Sequence, residues 1–173
     1  MAKIIRGKVG GPEPGEGALT VGTLAERIKP IDPDVGGTIE RIRHWVREGL
    51  LWPSSQHHAG TGKHRQFSES AVYDVAVLHV LTRAGLSISS QRYLADALTK
   101  VRYAVPKWRQ ARTQGRKYAP HLIVFWTAAG MAQFGVYEEG DDAKPAERAG
   151  FKASDVVLTF DFDLGKLFAK VEA

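Results

Sequence analysis

Cysteine is absent from the 173 residues, which excludes disulfides, thiolate metal sites and thiol-based redox sensing. No apolar run approaches the length needed to cross a bilayer, so no membrane partner is expected. Met1 to Gly17 carries Lys3, Arg6 and Lys8 but no apolar stretch like a signal peptide, which predicts a cytoplasmic protein. A nucleophile elbow, a phosphate loop, a metal-ligand array and a catalytic carboxylate pair are all missing. No cofactor is therefore expected, and an enzyme ranks third among the readings. Acids are scarce in the middle of the chain. Between Arg83 and Tyr118 nine Lys/Arg face only Asp96, and between Thr38 and Ser68 five Lys/Arg and four histidines face two acids. After Tyr137 the balance reverses, with nine acids against five bases. A basic middle with an acidic tail suits a polyanionic partner held by one part of the molecule.

What is present reads as α+β. The glycine- and proline-containing residues 1–19 form an expected flexible arm, and structure starts near Thr20 or Thr23, where Thr23 and Glu26 have capping-box spacing. That helix stops before Pro30, and Pro30 to Gly37 is dense in turn formers. Thr38 is read as the cap of a second helix with Ile39, Ile42 and Val46 on its core face, ended by Gly49. Residues 52–67, with Gly60 and Gly62 near the tip, read as a β-hairpin. Ser68 then caps a helix from Ser70 to Ala84 that is apolar nearly all round and hence central. A further helix covers Ser87 to about Lys100, and Pro106 is expected to interrupt the basic segment that follows. Leu122 to Trp126, Phe134 to Tyr137 and Val156 to Phe162 are predicted strands, with a terminal helix through Leu164, Leu167, Phe168 and Val171.

Two short helices, a basic hairpin and a buried helix make a winged helix-turn-helix. A helix fits the major groove and can hydrogen-bond base edges, while a hairpin adds cationic contacts to phosphates. At this point the residues resemble a known family. Thr38 to Leu51, with Arg43, then His44 and Trp45, then Gly49-Leu50-Leu51, resembles the recognition helix of MerR-type regulators. His64-Arg65-Gln66-Phe67-Ser68 is similar to the family's wing signature, and Arg83 to Ile88 to the end of its next helix. The resemblance implies a two-fold operator in double-stranded DNA, a homodimer, and a bacterial, nucleoid-associated transcription regulator, with RNA polymerase or a small organic effector as further partners. The long connection before Thr38 departs from the family's tight turn, and a break at Pro106 would spoil its dimer coiled coil.

The expected division is a 1–19 arm, a 20–86 DNA-binding domain, an 87–118 basic helical connector and a 119–173 α+β module for dimerisation or effector binding. Candidate DNA contacts are Thr23, Thr38, Glu40, Arg41, Arg43, His44, Trp45 and Arg47 on the helices, with Lys63, His64 and Arg65 on the wing. Trp45 is divided between packing and a phosphate contact. His57 and His58 lack further ligands for a metal. Bases interleaved with aromatics from Lys100 to Tyr118 suggest a supplementary phosphate surface. Trp108, Tyr118 and Trp126 are candidates for an effector pocket, and Asp163 for a helix cap. Other readings are a phage- or plasmid-type architectural or accessory DNA-binding factor, and a protein-interaction adaptor.

Overall fold

The computed structural model describes residues 18–54, 65–127, 132–138 and 155–173. Thr20 caps α1 (Val21–Arg27) by accepting a hydrogen bond from the Thr23 amide at 3.1 Å. The helix ends at Ile28, ahead of Pro30. The next helix, α2 (Val35–Arg47), begins earlier than expected. Its cap is Asp34, whose carboxylate accepts from the Gly37 amide at 2.9 Å, and not Thr38. A Cβ at Gly37 would collide with that carboxylate, so the two glycines belong to the first turn of the helix and not to the loop. The residues that face inward also differ from those expected. Thr38, Ile42 and Trp45 are buried, whereas Ile39 and Val46 are only half-buried. The core face is thus turned by about one residue from the expected Ile39, Ile42 and Val46. Gly49 ends α2 at φ 71°, and the Leu50 amide reaches back to the Trp45 carbonyl at 2.9 Å.

Ten of the thirteen residues of α3 (Ala71–Arg83) are buried, Asp74 and His79 among them, as befits a central helix. Ser70, not Ser68, stands at its N-terminus and makes no capping bond. After Gly85 (φ 85°) come one turn, α4 (Ile88–Gln91), a 3₁₀ turn at Arg92–Leu94, and the 19-residue α5 (Ala95–Thr113). Pro106 lies inside α5 and does not end it, which corrects the expected interruption. The reason is orientation. Pro106 and Arg102, whose carbonyl loses its partner, both face solvent, while Val101, Ala104, Val105 and Trp108 hold the helix to the core on either side. That apolar stripe packs within its own chain, so it is not free to form a dimer seam.

The sheet has the order β2-β1-β3, from β1 (Pro120–Thr127), β2 (Ala132–Glu138) and β3 (Val156–Asp163), all antiparallel. Leu122 and Val124 of β1, with Trp126, Phe134, Val136, Phe160 and Phe162, turn one face onto the helices. Asp163 caps α6 (Leu164–Val171) by accepting from the Lys166 amide at 2.9 Å, as expected. Asp161, on the opposite face, takes Tyr137 and His121. The main apolar cluster runs from Leu19 to Val171, and Ile123 and Phe125 form a second, small one. The main cluster draws on residues from all parts of the chain, and α6 seats Phe168 edge-on against Tyr73 of α3 and Trp108 of α5.

Candidate nucleic-acid interface

α2 has two faces of opposite use. Inward, Trp45 is 1% exposed and Ile42 is wholly buried. Outward, Gly36, Glu40, Arg43 and Arg47 are exposed and lie within about 60° of one another around the helix. Ile39 and Val46 form an apolar shoulder beside this stripe, and His44 is half-buried on the other side. Glu40 and Arg43 form an ion pair one turn apart, while the Arg47 side chain has no partner among the described residues.

Backbone pairing brings a third segment to this face. Leu19 and Phe67 exchange both amide hydrogen bonds at 2.8 Å, and the Ser54 amide donates to the Gln66 carbonyl at 2.8 Å. Residues 52–54 and 65–67 are thus joined, with the start of α1 alongside. Phe67 is buried and anchors the pairing, which leaves Arg65 and Gln66 exposed. Where these parts meet, Thr20, Val21, Gly22, Ile39, Arg43, Val46 and Arg65 line an open cleft of about 520 Å³. Its lining combines aliphatic side chains with two arginines. That combination accommodates an anion running over a nonpolar surface.

The remaining candidate residues fall differently. Thr23 is exposed next to this cleft, its hydroxyl sharing a 2.9 Å hydrogen bond with Thr20. Thr38 and Trp45 are in the core, so neither presents a side chain to a ligand, and their place among the DNA contacts is withdrawn. Of the two tryptophans flanking Gly49, it is Trp52, 65% exposed, that faces outward. Arg41 turns to the carboxylate of Asp32 and the Thr38 hydroxyl instead of outward. Lys63 and His64, like His57, His58 and the rest of 55–64, where the tip of a hairpin was expected, lie outside the described residues. The effector-pocket trio is not brought together. Trp108 is a core residue against Phe168 and Gly165, Tyr118 donates to Glu138, and Trp126 lies at the far end of β1, roughly 20 Å along the strand.

Sequence reasoning missed a buried polar cluster behind the interface. Asp32, in the connection between α1 and α2, is 7% exposed and accepts from the Thr38 hydroxyl at 2.5 Å, from Arg41 and from the Asp34 amide at 3.3 Å. His79 of α3, 4% exposed, places Nδ1 3.4 Å from the same carboxylate. Burial works to raise the Asp32 pKa, but the Thr38 hydroxyl, the Asp34 amide, His79 and Arg41 together hold it below the usual value. Burial lowers that of His79, helped by Arg41 and Arg83 and opposed by Asp32. The only signal in the sequence was indirect: a connection this long needs something to hold it. No group of three or more potential metal ligands occurs among the described residues.

Residues 22–97 match the family model of the MerR HTH family regulatory protein. This stretch is a MerR-type helix-turn-helix domain. No curated protein matches the chain. The MerR-type domain spans α1, α2 and α3 and ends within α5, so it includes the outward stripe of α2, Arg65 and the Asp32 cluster. DNA-binding transcription regulation is the activity that such a domain implies. Among the described residues no helix is long and apolar enough to cross a membrane.

Proposed function

We propose that the protein is a sequence-specific regulator that reads double-stranded DNA with α2 in the major groove. Glu40, Arg43 and Arg47 face the base edges and adjacent phosphates, with His44 at the margin. Arg65 and Thr23 hold the backbone on either side, and the 52–67 hairpin serves as the wing. The observation that carries this reading is the shared cleft. The start of α1, the outward face of α2 and Arg65 converge on one surface, with Arg43 and Arg65 both in its lining. Arginine is suited to this position because its planar fork binds guanine edges or phosphate oxygens with two hydrogen bonds at once. Trp52, two residues before the Ser54–Gln66 pairing, is an exposed aromatic next to the proposed wing.

The two-fold operator expected of such regulators requires a homodimer. With the apolar stripe of α5 buried in its own chain, that dimer would be built on other surfaces. Selection of bound DNA from a random duplex pool, with affinities read across a salt series, tests the proposal. Enrichment of an inverted repeat, bound far more tightly than random DNA, is the expected outcome. Salt-steep binding without enrichment would replace it with the architectural or accessory reading, and no binding at low salt would reject both.

A further inference from the structure

The α1–α2 connection is longer than a tight helix turn, yet α2 must be held at a defined angle if its outer stripe is to meet base edges. Apolar packing of Ile42 and Trp45 fixes how deeply α2 sits but resists rotation about its own axis poorly, because aliphatic and aromatic contacts are non-directional. Hydrogen bonds are directional, and the Asp32 carboxylate accepts them from α2 and from the amide of its cap residue. Thr38 and Arg41 lie one turn apart on α2, and both donate to Oδ2 of Asp32. Oδ1 of Asp32 accepts from the Asp34 amide, which sits on the residue that caps α2. His79 of α3 approaches Oδ2 from the core side. Two buried nitrogens of this cluster, Arg41 Nε and His79 Nδ1, have no hydrogen-bond partner among the described residues. The cluster is therefore unevenly satisfied by the protein's own groups, an arrangement that sheer stability would not favour.

We infer that Asp32 is a positioning residue for DNA reading, setting the rotation of α2 through Thr38 and Arg41 while making no contact with DNA itself. This rests on the assignment of α2 to the major groove. It gives Arg41 a role opposite to a phosphate contact: its charge is directed to the core, so its loss costs sequence discrimination without changing the number of phosphates neutralised.

Two variants separate these roles, measured on the full chain against its selected duplex and against random duplex of equal length. Arg41→Gln should lower affinity for the selected duplex about tenfold, in line with the loss of a charged hydrogen bond. Its affinity for random duplex and its salt slope should stay unchanged. A slope reduced by about one would make Arg41 a phosphate contact and overturn the inference. Thr38→Val should reproduce the loss of discrimination in protein that circular dichroism shows to be folded, and Thr38→Ser, which keeps the hydroxyl, should restore it. Folded Thr38→Val that discriminates as well as the wild type would also overturn it. If the wild type itself does not prefer a selected duplex, the groove assignment has failed, which is distinguishable from failure of the positioning role.

Discussion

α2 and α5 are both rich in basic residues, but they direct them oppositely. On α2 the outward cations are Arg43, paired only with Glu40 of its own helix, and Arg47, with no partner among the described residues. On α5 four of the five cations meet acids from elsewhere in the chain. Arg102 grips buried Asp74 of α3 with Nε 3.0 Å from each carboxylate oxygen, and Arg109 binds Glu172 at 2.6 Å and the Tyr73 hydroxyl at 2.7 Å. Arg112 stands 3.6 Å from Glu172 and over the ring of Trp108, and Lys107 lies 3.3 Å from Glu138. The richer run of charge is thus a clamp joining α3, the sheet and the C-terminus, whereas the sparser one is available to a partner. Lys100 and Arg116 have no ion-pair partner among the described residues, whereas Arg102, Lys107, Arg109 and Arg112 of the segment expected to form a supplementary phosphate surface are engaged within the chain.

The largest effect that would test this contrast is on stability. Arg102→Ala strands a carboxyl that is almost wholly buried and should cost about 3 kcal/mol in denaturant melts near pH 7.5, with the salt slope of DNA binding unchanged. Burial outweighs the neighbouring Arg102 guanidinium and pushes the Asp74 carboxyl up to about 6 from 3.8. A folded-state value raised in this way favours the native state fully below about pH 4 and progressively less as pH rises through about 6. The cost of Arg102→Ala should accordingly shrink below pH 6, where Asp74 accepts a proton. A pH-independent cost would show that Arg102 contributes only its aliphatic stem.

Next in size is binding. Arg43→Ala should weaken the selected duplex about tenfold and leave the melting temperature nearly unchanged, the inverse of Arg102→Ala. Arg65→Ala should weaken all duplexes alike and reduce the salt slope by about one. A loss confined to one sequence would move Arg65 from phosphate to base.

Why the two helices were not told apart in the sequence is a matter of distance along the chain. Helix ends announce themselves locally, so Gly49 and Gly85 were legible, and so was Asp163 as the cap of α6. Strand runs such as Leu122–Trp126 and the near-complete burial of α3 were legible for the same reason. The acids that neutralise α5 lie 28 residues before Arg102 and 63 after Arg109, and no periodicity connects them. The start of α2 failed for a subtler reason. Gly36 and Gly37 look like loop residues, yet Gly37 is there because the Asp34 cap needs the space of its missing side chain. Separately, the buried face of α2 centres on Thr38, Ile42 and Trp45 and not on Ile39, Ile42 and Val46. Glu40, Arg43 and Arg47 are exposed all the same, whereas Arg41, expected on the same outer face, turns to Asp32.

A smaller stability change is expected at the C-terminus. Burial would raise the Glu172 carboxyl, but the Tyr73 hydroxyl, Arg109 and Arg112 outweigh it and hold it below its ordinary 4.5. Its contribution is present above that pH and lost as pH falls through the folded value. Glu172→Gln should therefore cost about 1 kcal/mol at neutral pH and nothing measurable in strong acid, as followed by thermal melts across pH.

Lys107→Ala should have the smallest effect and decides most sharply whether α5 touches DNA. Its pair with Glu138 is exposed on both sides, 63% and 51%, so the loss should stay within about 0.5 kcal/mol. Exposure alone does not distinguish Lys107 from Arg47; the difference lies in the facing acid. An ammonium already beside a carboxylate releases few counterions when DNA approaches, because the pair is close to neutral. Arg47→Ala should thus lower the salt slope by about one and Lys107→Ala should leave it unchanged. Equal reductions for the two would mean that Glu138 is displaced on binding and that α5 lies against phosphates after all.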